Sequence, residues 1–276
     1  MPAFHQMKGF QIRYRLIGSI LALVAALVFL PATFGQNATQ MGAPKTQAAA
    51  PVPDLSGVWE QHPPASARRF AIYSFTGEVP PMTPWAEARY KASKPSFGPL
   101  AVADSTDPVN PTTGTDVGCA PPGVPRIYVH PYPFEIIQIP GRVIMYYEFS
   151  HFVRQIFMDG RPHPPDLSPT WMGDSIGKLE GDTLVVDTVG FNDKTWLDRG
   201  GLPHSEDLHV VERIRRVDHD TLEVKITIDD PKAYTKTWGG QLIFQLKPGW
   251  NIMEFICEDN VNFLDLQKKA LEQPAK

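Results

Sequence analysis

From residue 134 to residue 257 the chain is a succession of short runs with alternating polarity, separated by turn-forming residues, and this punctuation constrains the fold most. Runs 134–139 and 142–149 are joined by Pro140-Gly141, and 152–158 ends at the tight-turn pair Asp159-Gly160. Runs 175–179 and 183–189 flank Glu180-Gly181-Asp182, runs 208–217 and 221–228 flank Asp218-His219-Asp220, and runs 241–246 and 250–257 flank Pro248-Gly249. Asp-Gly and Pro-Gly pairs supply the backbone angles of tight hairpins. Short strands at regular spacing with such turns predict a barrel or a sandwich. The expected fold is mainly β, an antiparallel meander closed into a barrel, because a meander needs no long crossovers and closure removes free edges. A propeller would repeat every 40 to 50 residues or so, and no such period occurs.

Upstream, residues 60–133 are rich in Pro and Gly and carry little periodicity. The whole chain holds 28 Pro in 276 residues, which excludes long helices from most of it because Pro breaks helices and central strands. One short helix is expected over 84–92, with Thr83 as N-cap, Pro84 in the first helical position and Glu87 in the first turn. Residues 93–133 read as an ordered, irregular excursion, the kind of segment that often covers a functional site. The folded domain is expected over 54–262, followed by a short helical or frayed tail at 263–276.

The N-terminus has the anatomy of a signal peptide, expected over 1–35. Lys8, Arg13 and Arg15 precede an apolar run from 16 to 30; Pro31 ends it, and small residues follow at 33–35. A membrane span needs roughly 20 residues, so this run is short for one, and an uncleaved anchor is the alternative. Residues 36–53 read as a disordered linker. The expected location is periplasmic or secreted, with no stable membrane span after cleavage. Loss of the three positive charges takes the net charge from −4 to −7, and such a chain has no basic field to attract nucleic acid. Export also permits a disulfide between the two cysteines, Cys119 and Cys257. Spacing alone leaves two free buried thiols as the alternative.

Strand alternation singles out candidate site residues, because successive side chains point to opposite faces. In 221–228 the apolar set Leu222, Val224, Ile226 and Ile228 marks the inward face, and pairing then places Glu212 on the inward face of 208–217. A carboxylate there must be paired, protonated or functional. Asp187 in 183–189 is read as inward in weaker form. Glu148 and Arg154 flank the Ser150-His151 break and are read as a possible pair. Loops 159–206 concentrate Trp171, Asp174, Asn192, Asp193, Trp196 and His204, a set suited to rim a barrel mouth where ligands bind. The bland alternative is that these are solvated turn formers. Five His lie between 130 and 209, but none show a His-x-His or His-x-x-x-His ligand spacing, so no metal is assigned. Gly-x-Ser-x-Gly and phosphate-cradling glycine motifs are also lacking.

Two resemblances accompany these readings. Gly57-x-Trp59 at the start of a first strand is similar to the opening of lipocalin-like and other calycin barrels, in which the Trp plugs one end. Separately, 131–136, 154–156, 159–161, 169–173, 196–198, 203–205 and 211–213 resemble an abundant, uncharacterised family of exported bacterial proteins, over roughly 54–260. That resemblance implies export and supplies no activity. The residues themselves point to an enzyme acting on a small apolar or aromatic compound by acid–base chemistry of lyase, isomerase or hydrolase type, with no cofactor. Glu212 and Asp187 would be the acid/base pair, His204 and His151 secondary proton carriers, and Arg154, Trp171, Asp174, Asn192, Asp193 and Trp196 the substrate contacts. A non-catalytic carrier with Glu212 locked against an Arg is the alternative. An envelope interaction protein is a third reading, favoured by a filled barrel without a cavity. Oligomeric state is not readable.

Overall fold

The structure, a computed structural model, describes residues 53–109 and 119–257. The expected signal peptide and tail, and all but the last residue of the expected linker, lie outside the described residues. The fold is mainly β. The strands are β1 (Gly57–Gln61), β2 (Phe134–Ile139), β3 (Arg142–Tyr147), β4 (Val153–Phe157), β5 (Asp174–Glu180), β6 (Thr183–Val189), β7 (His209–Arg216), β8 (Thr221–Asp229) and β9 (Trp238–Leu246). They follow one another around a closed barrel, and β9 returns to pair antiparallel with β1. No described helix is long and apolar enough to cross a membrane.

The meander is not antiparallel throughout, as was expected. Strands β4 and β5 run parallel, through only two residue pairs, Ile156↔Ser175 and Phe157↔Ile176. Parity requires this. In a nine-strand ring of strictly alternating direction, the first and ninth strands would run parallel, so one parallel pair elsewhere is needed for β1 and β9 to meet antiparallel. A parallel connection must travel back along the barrel and takes a dozen or more residues. Residues 158–173 supply it, so Asp159-Gly160 begins a crossover and not a hairpin. The expected last hairpin also fails to form. Its turn exists, with Trp250 N–H donating to the Lys247 carbonyl, but 250–257 makes only one isolated bridge, Phe255↔Phe149. The outer edge of β9 is already taken by β1.

Two short helices lie between β1 and β2, α1 (Arg68–Ala71) and α2 (Pro84–Ala92). The second matches the expected span, and the Thr83 hydroxyl accepts from the Ala86 N–H as a capping side chain should. Residues 126–129 form a single 3-10 turn, wholly buried. From it Tyr128 reaches into the barrel and contacts Phe134, Tyr147 and Phe244 edge-on or tilted, with ring centroids 5.7–6.0 Å away. The excursion therefore plugs the barrel. Trp59 is fully buried, donates from Nε1 to the Leu55 carbonyl, and lies under the Arg216 guanidinium. Arg216 also donates to the Asp54 carbonyl, fixing the approach to β1. A buried tryptophan at the first strand of a closed barrel is consistent with the calycin likeness. The two cysteines are joined as the Cys119–Cys257 disulfide, which ties the excursion to the segment after β9.

Candidate functional site

The barrel interior is where strand alternation placed Glu212, and Glu212 is fully buried there. Its partner is Arg154 of β4, not the free space a general base would need. Arg154 donates from Nη1 to Glu212 Oε1 (2.9 Å) and from Nη2 to Glu212 Oε2. It also donates from Nη1 to the Tyr128 hydroxyl (3.2 Å), from Nη2 to Thr188 Oγ1 (2.9 Å) and from Nε to Ser175 Oγ (3.1 Å). A guanidinium has five N–H bonds, and all five are met. Tyr128 donates to Glu212 Oε1 at 2.7 Å. Burial, then the Glu212 charge, holds the Tyr128 hydroxyl well above the usual tyrosine range, and burial pushes Tyr147 up to about 12. The expected Glu148–Arg154 pair does not form, because Arg154 points inward while Glu148 accepts from the Met253 N–H at 3.0 Å.

At the loop end, Trp171, Asn192, Trp196 and His204 gather around the start of the plug. Asn192 Oδ1 accepts from the Lys194 N–H, and Trp196 bridges to Pro203. His204 is buried. Its Nδ1 donates to the Ser205 carbonyl (3.1 Å), which leaves Nε2 to accept from Thr195 Oγ1 (3.3 Å). Burial lowers its pKa, so the ring is neutral at pH 7. Asp193 is exposed, and His151 stands apart with Nε2 3.1 Å from the Met253 carbonyl. The same layer holds three residues that sequence reasoning missed. Arg126 is fully buried and gives Nη2 to both oxygens of Asp107 (2.7 and 2.6 Å). Arg199 gives Nη1 to the Ile72 carbonyl (2.6 Å) and lies 3.7 Å over the Phe97 ring. His130 stacks on Phe149 at 4.3 Å.

Asp187 was expected inward. It faces outward, because Leu184, Val186 and Thr188 take the inner face of β6 and Thr188 is bound to Arg154. On the outer wall Asp187 Oδ1 accepts from Nε2 of both His163 (3.1 Å) and His209 (2.9 Å). Asp174 Oδ1 lies 2.7 Å from His163 Nδ1. Among the described residues no three His, Cys, Asp or Glu side chains are disposed to hold one metal ion.

At the opposite, turn end lies an open apolar cleft of about 370 Å³. Leu55, Val143, Leu184 and Met158 form its floor and walls, with Ile139 and Leu179 at the rim and Gln138 and Arg142 as its polar groups. It abuts β4 and β5, whose pairing is shortest. A Cβ on Gly177 would stand 2.5 Å from Met158 Sδ and 2.8 Å from Ile156 Cγ2. That glycine lets the cleft's inner wall close. The exposed Ile137 and Ile139 alternate with the buried Phe134 and Ile136 and so were visible in the sequence as outward apolar residues, whereas Leu179 pairs with Leu184 on the inner face and is exposed only because it stands at the open turn end. Hairpin spacing does not reveal which turns share an end. Comparison with family models, with curated proteins and with solved structures finds no match to this chain.

Proposed function

We propose that this chain is a non-catalytic binding protein for a small, neutral, apolar or aromatic molecule, exported from the cytoplasm and holding its ligand in the turn-end cleft. The observation that carries this reading is the cleft itself. Its volume falls in the usual range for ligand sites, roughly 300–1,000 Å³, and its lining is mostly apolar with a few convergent polar groups. The Arg154–Glu212 pair supports the non-catalytic choice, since both Glu212 oxygens are occupied and none is left for general-base work; with the lumen filled, the ligand is left to the turn-end cleft. Titration with N-phenyl-1-naphthylamine, a neutral probe whose fluorescence rises in apolar surroundings, tests it. The expected result is saturable binding that weakens at least tenfold in Ile139→Asp/Leu179→Arg, with unchanged circular dichroism. Equal binding by that variant would sink the proposal.

The acid–base reading keeps one supporting observation, the half-exposed His163–Asp187–His209 group, where an imidazole flanked by carboxylates is arranged to hold and pass a proton. Any turnover activity should then be abolished by Asp187→Asn and persist in Glu212→Gln at temperatures where that variant is folded.

A further inference from the structure

We infer that Arg126, Arg199 and His130 form a buried receptor for a small oxyanion at the loop end of the barrel, separate from the turn-end cleft. The argument starts from donors without acceptors. Arg126 Nε and Nη1, Arg199 Nε and His130 Nε2 are all buried and have no hydrogen-bond partner. The three side chains are 0%, 6% and 2% exposed. An unpaired buried donor costs about 1–3 kcal/mol, more when charged, so native structures keep few of them and each asks for an explanation. Here four fall on three residues of one layer.

Those residues are neighbours. Arg126 and His130 sit at the two ends of one 3-10 turn. Arg126 lies over Trp196, three residues before Arg199. The Arg126 charge is the largest electrostatic influence on both His130 and Arg199. With burial, it holds His130 well below the usual histidine range and brings Arg199 down to about 10. Burial is the first cause of both shifts and the Arg126 charge adds to it; a bound anion would offset the part that comes from the neighbouring charge. The acidic groups nearby do not satisfy these donors. Asp107 takes only Nη2 of Arg126. Asp198 Oδ1 accepts instead from the Gly200 and Leu202 N–H groups. Two guanidinium groups match the acceptor oxygens of a carboxylate, a phosphate or a sulfate, and His130 adds a donor in the tautomer that carries its proton on Nε2. The apolar faces of Trp196, Phe97 and Phe149 exclude water and strengthen such bonds.

Isothermal titration of the full chain with phosphate, sulfate, acetate and benzoate, against sodium chloride at equal ionic strength, tests the inference. The expected result is one-to-one binding of at least one of these anions. The phosphate and sulfate arms report a tetrahedral ligand, the acetate and benzoate arms a carboxylate. Affinity should fall at least tenfold in Arg199→Met, which keeps an unbranched side chain but removes the guanidinium stacked on Phe97, and in His130→Phe, which keeps the stack on Phe149. Should either variant fail to fold, the Nε–H signals of arginine in the wild-type protein give the readout, with two of them moving saturably as the bound anion is added. No one-to-one binding, unmoved Nε–H signals, or wild-type affinity in both folded variants would overturn the inference. None of these readouts involves the apolar probe, so this site and the cleft stand or fall separately.

Discussion

Glu212 has both carboxylate oxygens occupied, and this makes removal of one partner costlier than removal of the pair. Breaking a buried ion pair from one side leaves an uncompensated charge and costs about 3–5 kcal/mol, whereas apolar replacement of both partners is often neutral. Glu212→Gln is therefore expected to lose about 3–5 kcal/mol of unfolding free energy in urea titration. Arg154→Met/Glu212→Leu, with Tyr128→Phe to remove the leftover donor, should recover most of that. A pH prediction also belongs at this scale. Burial lowers the pKa of His130 and His204 in the fold, so below the unfolded value of about 6.5 the unfolded chain binds protons that the fold does not. Stability should thus be full above pH 6.5 and decline as pH falls toward 5. His130→Phe should flatten the slope, and an unchanged slope would show that His130 is not its source. Glu212 was legible because the apolar set of β8 fixes the inward face across a regular pairing. Arg154 was not, because Ser150 and His151 both adopt positive φ and the break resets the alternation of β4. Arg126, His130 and Arg199 lie in irregular segments with no period to read.

Among the elements, β4–β5 is the weak seam. Two residue pairs hold it, against six or more across most of the other pairings. Amide hydrogen exchange should be fastest, among the strands, at Phe157 and Ile176, and slowest in β7 and β8; uniform protection around the ring would contradict this. The helix α2 is capped by Thr83, whose hydroxyl also donates to the Lys232 carbonyl at 2.7 Å. Thr83→Ala should cost about 1–2 kcal/mol in thermal melts. Strands β2, β3, β6, β7 and β8 were readable to within a residue or two because alternation and turn chemistry agree. The start of β9 was not. The expected run begins at 241, yet Gly239 and Gly240 are strand residues, at which any Cβ would fall about 2 Å from the Ile226 and Phe75 carbonyl oxygens. The parallel seam was unreadable for a different reason, since parity is a property of the ring and of no single segment.

At the scale of the whole molecule, one covalent bond holds the plug side to the end of the described chain. The Cys119–Cys257 bridge spans 138 residues, and a native disulfide closing so long a loop is worth about 2–5 kcal/mol. Cys119→Ser/Cys257→Ser should shift the urea midpoint accordingly, with the ring of strands still formed by circular dichroism. The ring has its own consequence for how the protein is made. Its closing contact joins Trp59 to Leu246, the first strand to the last, so a chain emerging from its N-terminus cannot finish any stage of the wall early. Until residue 246 is available, β1 and β8 each present an unpaired edge, and pairings of such long sequence separation form slowly. The half-built molecule depends on whatever keeps those edges from meeting another copy, so a chain stopped before Trp238 should accumulate as aggregate and not as a smaller barrel.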